Sequence, residues 1–209
     1  MLTTLTIQQF LSELAKGSAT PGGGSAAGLA GAQGAALLSM VCNLTVGRKK
    51  YEDVEREMQA ALDKAERLRL RLMELIDEDT RAFDGVMAAY RLPKETPEQK
   101  AARSAAIQAG LKEATRTPME TLKTCVDVLE LAPTVISKGN PNVISDGGAG
   151  VLNAHAGMMI AALNVRINLN AIKDEAFVAE QSAKMDALIA RGDAAKAQAW
   201  AIVAERLGM

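Results

Sequence analysis

Little in this chain is aromatic. Of its 209 residues only 3% are Phe, Trp or Tyr, so a core has to be assembled from Leu, Ala, Met and Val. There are two cysteines, Cys42 and Cys125, which form neither a metal-ligand spacing nor a disulfide framework. Each falls in a helical pattern, which predicts buried, reduced thiols in a cytoplasmic protein. The single histidine, His155, stands among Gly and Ala with no acidic neighbour in sequence. It reads as a packed core residue rather than a base, despite its useful intrinsic pKa. Neither sign of charge is in excess, since 24 Lys and Arg face 25 Asp and Glu. Nucleic acid calls for a cationic surplus, so that class of partner is set aside. No basic stretch followed by an apolar one opens the chain, and a signal peptide is not expected. Strand-like alternation, low complexity and linkers are missing too. What is left is one all-α domain over residues 1–209, an antiparallel helical bundle with long central helices.

What the sequence has is two long uncharged runs. The first follows Thr20-Pro21-Gly22-Gly23-Gly24-Ser25 and extends from Ala26 to Val46 without charge or proline. Pro21 and the three glycines resist helix, and Ser25 is a good N-cap, so a long helix is expected to start there. Gly28, Gly31 and Gly34 recur every three residues within it. A helical Gly costs up to about 1 kcal/mol relative to Ala, so close approach by another backbone is the expected compensation. The second run covers Gly147 to Val165. About twenty uncharged residues suffice to cross a bilayer. Both runs, however, are mostly Ala and Gly and carry Gln33, Asn43, Asn153, His155 and Asn164. Small residues bury little apolar area, so insertion would be weakly driven, and a soluble helix-packed core is the better reading.

In chain order, Thr6-Ile7-Gln8-Gln9 is a capping box, and Gly17 ends the short helix behind it. After the first uncharged helix and the Gly47–Tyr51 turn, an amphipathic helix is expected from about 52 to 90. Its stripe is Val54, Met58, Ala61, Ala65, Leu68, Leu72, Leu75, Ile76, Phe83, Val86 and Tyr90, with one gap. Thr96-Pro97 and Thr117-Pro118 open helices at about 97–115 and 118–137, with Pro133 a kink or break. Ser145-Asp146 resembles the cap of the second uncharged helix, which runs to about Asn170. Asp174 caps a further helix, which Gly192-Asp193 separates from a last one ending near Leu207.

The gap in the stripe falls at Asp79, which projects only about 20° from Leu72 and Val86. Asp77, Glu78 and Asp84 lie off that line and can face water. A carboxylate on an apolar stripe is costly unless paired, and burial should raise its pKa towards the range useful for proton transfer. The plain alternative is a buried carboxylate satisfied by a helix N-terminus or an arginine. Arg48, Lys49 and Lys50 form a cation run that is either a solvated junction or a clamp for an anionic ligand. Pro21–Ser25 lacks the lysine and Ser/Thr of a phosphate-binding loop, which rejects nucleotide hydrolysis. Gly23, Gly24 and Ser25 could still hold a carbonyl or carboxylate on free amides, or form a plain turn. Asn140, Asp146, Asn164 and Asn168 are amide and carboxylate groups suited to a heterocycle, or to coupling between buried helices.

The segments TPGGGSAAGLAGAQGAALLSMVCNLTVGRKKY, LIDEDTRAF, LPKETPEQKAARSAAIQ, KGNPNVISD and AALNVRINL resemble the cyclodeaminase/cyclohydrolase family of tetrahydrofolate enzymes. The likeness covers nearly the whole chain and is weakest in the last thirty or so residues. It implies an all-helical homodimer with folate bound near the subunit interface. It also implies that the aspartate of LIDEDTRAF, Asp79, is catalytic. No formiminotransferase half is present in these residues, which confines the expectation to the one-domain activities.

The resemblance implies one of two reactions. A cyclohydrolase adds water to the cationic bridging carbon of 5,10-methenyltetrahydrofolate and opens the ring to 10-formyltetrahydrofolate. A cyclodeaminase closes 5-formiminotetrahydrofolate to the methenyl compound and expels ammonia. Both need a proton shuttle, which Asp79 can supply. Arg48, Lys49 and Lys50 complement the anionic glutamate tail, and Asn140, Asp146 and Asn164 the pterin. No metal or cofactor beyond the folate substrate is expected, and no membrane partner. VCNLTVGRKKY and GNPNVISD favour the cyclohydrolase, with the cyclodeaminase the alternative. A non-catalytic folate-binding or helical scaffold is the third reading, disfavoured by the cost of placing Asp79 on the stripe. A straight helix over residues 25–47 would hold the glycine loop and the cation run roughly 33 Å apart. Two composite sites per antiparallel dimer are therefore expected.

Overall fold

Seven α-helices follow one another in the computed structural model, which describes residues 1–209: α1 (Ile7–Leu14), α2 (Gly23–Asn43), α3 (Glu55–Tyr90), α4 (Pro97–Ala114), α5 (Arg116–Lys138), α6 (Ile144–Asn170) and α7 (Glu175–Leu207). Short 3-10 turns precede α1, α3 and α6, and no strand is present, so the fold is all-α as expected. Thr6 makes the capping box, its side chain accepting from Gln9 N while Gln9 bonds back to Thr6 N. Thr96 repeats it with Gln99 at the start of α4.

Helix α2 is the axis, packed by α3, α5 and α6. Its glycines earn their place by contact. A Cβ on Gly34 would lie 2.8 Å from both Ala154 N and Gly150 O of α6, and one on Gly28 would lie 3.0 Å from Leu72 O of α3. On Gly31 it would meet Cys125 Sγ at 2.6 Å. From the α6 side, a Cβ on Gly157 would reach Gly31 N at 2.8 Å. These contacts set α2 and α6 antiparallel at backbone-to-backbone range, with Gly34 beside Gly150 and Gly23 beside Asn164. Around this seam, Leu38, Met58, Leu72, Leu75, Leu122, Leu129, Met158 and Leu169 are fully buried, each stabilising by about 1.5–3 kcal/mol. Phe10 is the one buried aromatic.

Both uncharged helices are long and apolar enough to cross a membrane by length and composition. In the fold, 61% of the apolar window of α2 is buried by its neighbours, while α6 leaves one side open. On that side Leu152, Met159, Leu163 and Ile167 form an exposed stripe.

Several local expectations change. Helix α2 starts at Gly23 with Gly22 as N-cap, and Ser25 is not a cap; its hydroxyl crosses to α3 instead. Helix α5 starts at Arg116, so Thr117 does not cap it, and Pro133 is accommodated within its span. Val143 precedes α6 without a side-chain cap, and Asp146 lies inside the first turn. Helix α7 runs unbroken through Gly192-Asp193. There the glycine provides clearance, since a Cβ would sit 2.2 Å from Met158 Sδ of α6.

Candidate functional site

The glycine segment, Asp79 and Asn164 meet at one end of the bundle. Gly24 lies so close to the Asp79 carboxylate that a Cβ there would be 1.9 Å from Oδ1. Only glycine leaves room for that side chain where it stands. Ser25 is fully buried, and its Oγ donates to Ile76 O at 3.0 Å and to Asp79 Oδ2 at 3.4 Å. Gly23 faces Asn164, whose Nδ2 would lie 3.2 Å from a Cβ and which donates to Ile160 O. The first-turn amides of α2 have no intrahelical acceptors, so the helix presents its positive end here.

Asp79 is half-buried, and burial pushes its carboxyl above the ordinary range while its hydrogen bonds from Ser25 pull partly back. A carboxylate with a raised pKa, beside the amide dipoles of a helix N-terminus, can take a proton from one ligand atom and return it to another. Asp77, by contrast, does not face water. It is buried, and its two oxygens accept from Leu2 N–H and Thr3 Oγ1, clamping the N-terminal turn to α3. Glu78 is bound by Arg71, and Asp84 is exposed as expected.

The remaining candidates occupy the opposite end. Arg48, Lys49 and Lys50 are exposed in the turn after α2, with Lys50 Nζ 5.5 Å from the Tyr51 ring. Tyr51 donates to Asn140 Oδ1 at 3.1 Å, and Asn140 is fixed further by Thr45 Oγ1 and Leu44 O. Asp146 is half-buried near the start of α6. The 21 residues of α2 separate these groups from Gly23 by about 30 Å. Within one chain the structure therefore does not unite Asn140 and Asp146 with Asn164, nor the cations with Asp79.

Two other polar residues of α6 are structural. Asn168 donates to Ala114 O at 3.1 Å, coupling α6 to α4. His155 is not a core residue: its side chain is 27% exposed and its Nε2 lies 2.8 Å from Asp193 Oδ1 of α7. No local pattern reveals that partner, because 38 residues separate the pair. The Asp77 clamp was hidden for the same reason, its partners lying 75 and 74 residues away. Cys42 and Cys125 are buried free thiols, pushed by burial up to about 11 and about 12.

This arrangement has known counterparts. A family model described as formiminotransferase-cyclodeaminase matches residues 6–187. A methenyltetrahydrofolate cyclohydrolase from Methylorubrum extorquens is 51% identical over 189 residues, which cover 90% of this chain and 91% of that one. The formimidoyltransferase-cyclodeaminase of Sus scrofa is 35% identical over 201 residues, 96% of this chain and 36% of that protein. The chain thus spans about a third of the length of that relative. Among solved structures, a formiminotetrahydrofolate cyclodeaminase from Thermotoga maritima matches with a TM-score of 0.87 at 30% identity, covering 100% of this chain and 98% of that one.

Proposed function

The chain belongs to the formiminotransferase-cyclodeaminase family, and from that premise we propose that it is a methenyltetrahydrofolate cyclohydrolase of one-carbon folate metabolism. The relative bearing that name matches over nine-tenths of both chains. The observation that carries the reading is Asp79, a half-buried carboxyl of raised pKa held against the first turn of α2. In the hydrolysis, ionised Asp79 favours the cationic methenyl carbon and accepts a proton as water adds to it. The tetrahedral carbon then loses its bond to N5, which takes the proton from Asp79, while its hydroxyl releases its proton to solvent and becomes the oxygen of the formyl group that stays on N10. Asn164 and the Gly23–Ser25 amides offer hydrogen bonds beside that centre. Proton transfer alone suffices for this step, and we assign it no metal or further cofactor.

A homodimer completes the reading. Apolar side chains are exposed both on α6, at Leu152, Met159, Leu163 and Ile167, and on α2, at Ala36 and Met40. Packing these faces on their copies about a two-fold axis, with α2 antiparallel to its copy, lays the cation end of one protomer beside the glycine end of its partner. Arg48, Lys49 and Lys50 would then meet the anionic tail of a folate whose reacting carbon sits at the partner's Asp79, with Asn140 and Asp146 nearby. This arrangement supplies the charge complement that a single chain holds about 30 Å away.

The cyclodeaminase reaction is the second reading, favoured by the fold and name of the Thermotoga maritima relative. Methenyltetrahydrofolate absorbance with purified protein decides between them. Decay above the spontaneous rate is expected, and it should vanish in Asp79→Asn. Formation of the same absorbance from the formimino compound, without enzymatic decay, would replace the proposal with the second reading. Neither change would leave a folate-binding or helical scaffold.

A further inference from the structure

Two grooves on this bundle collect cations, and they differ in how the charge is met. The groove between α7 and the α4–α5 junction holds Lys112, Arg116, Lys123, Lys184 and Arg191, and each is bound by a carboxylate of the chain itself. The other is a cavity of about 410 Å³ on the first half of α4. Lys94 reaches it from the α3–α4 connection, Lys100 and Arg103 from α4, and Lys173 from the α6–α7 connection. None of these four enters an ion pair. No carboxylate lines the cavity. Glu95 and Glu98 lie outside its lining, and Asp174, next to Lys173, is taken by Lys112. Like charges brought together from separate segments repel one another, and a bound anion relieves that repulsion.

The cluster is also held in place. Arg103 donates from Nε and Nη2 to Tyr90 O, at the end of α3, at 3.1 and 3.0 Å, and its guanidinium lies 5.5 Å from the Tyr90 ring. Gln108 Nε2 donates to Ala171 O at 3.0 Å, and its Oε1 accepts from Lys173 N at 2.7 Å. Those two bonds fix the connection that carries Lys173. Ile107 is the one apolar residue of the lining, and Ser104 adds a hydroxyl, so the cavity suits a polar ligand. The Nε–Nη2 edge of Arg103 is occupied by the Tyr90 carbonyl, and the other three charges are lysine ammonium groups. These are compact point charges, which serve densely charged phosphate oxygens better than they serve planar carboxylates. Four cations balance more than one phosphate group, and the volume lies within the range of about 300–1,000 Å³ of small-ligand pockets.

We infer that this cavity is a second binding site of the chain, taking a small ligand that carries a diphosphate or two closely set phosphate groups. It stands apart from the candidate centre. None of Asp79, Gly23, Gly24, Ser25 and Asn164 lines it, and Tyr90 lies about 16 Å beyond Asp79 along α3. The inference is therefore independent of the folate reading.

The test is calorimetric titration of the purified protein with pyrophosphate at fixed ionic strength, with thermal unfolding in parallel. Pyrophosphate should bind the wild type and raise its unfolding temperature by several degrees at saturation. Lys100→Gln and Lys173→Gln should each weaken binding about tenfold, while Lys100→Arg should stay within about threefold of wild type. Lys123→Gln with Lys184→Gln, from the groove whose cations are already paired, should bind as the wild type does. Citrate and γ-linked triglutamate should bind at least about tenfold more weakly than pyrophosphate. A wild type that does not bind pyrophosphate, or unchanged binding in both single glutamine variants, would overturn the inference. An equal loss in the Lys123 and Lys184 variant would overturn it too, by showing attraction to surface charge at large. Triglutamate bound as tightly as pyrophosphate would overturn the phosphate assignment and give the cavity to the tail of a polyglutamylated folate.

Discussion

The two ends of α2 differ in every property that matters for a site. At the glycine end the backbone is close-packed, the serine is fully buried, and a half-buried carboxyl faces the first turn of the helix. At the other end three cations stand in solvent, and the ordered group is the Tyr51–Asn140 pair with its ties to Thr45 and Leu44. In the proposed function the first end changes a proton's owner, and the second attracts charge over a distance. One is shaped by exclusion of water, which raises a carboxyl pKa. The other depends on access to water, where electrostatic attraction is long-ranged and sensitive to salt. In the proposed reading, neither end is a folate site alone.

Removing the proton carrier breaks the comparison most severely. Asp79→Asn should retain the fold and lose about 10² to 10⁴-fold in turnover. In the wild type, turnover should fall towards acid with an apparent pKa above the ordinary carboxylate range, because the ionised form acts as base. The stability effect runs the other way. A carboxyl whose folded pKa is raised stabilises fully below its unfolded pKa, and that contribution is lost as pH rises through the folded value. The asparagine variant should therefore be the more stable protein at neutral pH, and the gain should shrink in acid. Unfolding curves across pH check the sign, and a variant less stable at neutral pH would contradict it.

Glycine substitutions separate function from packing along the same helix. Gly24→Ala places a methyl against a movable carboxylate, so the fold should survive and turnover should fall by about tenfold as Asp79 is displaced. Gly34→Ala meets backbone atoms of α6, which cannot swing aside, and should destabilise by about 1–3 kcal/mol. Kinetics and thermal unfolding of the two variants should show opposite profiles.

The smallest effects belong to the cation end. Arg48→Ala and Lys50→Ala should leave kcat near wild type and raise KM a few-fold at low salt, more for polyglutamylated than for monoglutamylated folate. An unchanged KM at low salt would make the run an ordinary solvated junction.

Much of this was legible in the residues because it is local. The gap at Asp79 in an otherwise apolar stripe, the threonine caps at Thr6 and Thr96, and the Ala/Gly composition of α2 each carry their meaning within a few turns of helix. What escaped the sequence depends on which helix comes to lie alongside. Ser25 has the chemistry of a cap, and only the proximity of α3 turns its hydroxyl towards Ile76 and Asp79. Gly192 has the chemistry of a break, and only Met158 explains why it is a notch in a continuous helix. Asp77 and His155 were misjudged for want of partners that lie far along the chain. Asn140, Asp146 and Asn164 looked like one set by type, whereas the length of α6 places them at opposite ends.

Subunit complementation tests the shared site most directly. Asp79→Asn and a charge-reversed variant of the whole cation run, Arg48→Glu with Lys49→Glu and Lys50→Glu, are purified separately and mixed under conditions where labelled subunits demonstrably exchange. Methenyltetrahydrofolate hydrolysis is then assayed at low salt and at a substrate concentration where each variant alone is nearly inactive. A mixed dimer would hold one site with both defects and one with neither, so activity should rise from near zero towards a quarter of the wild-type value when exchange is statistical, by roughly half the dimers regaining one of two sites. Subunit exchange without any recovery would contradict the account and mean that each site is built within a single chain.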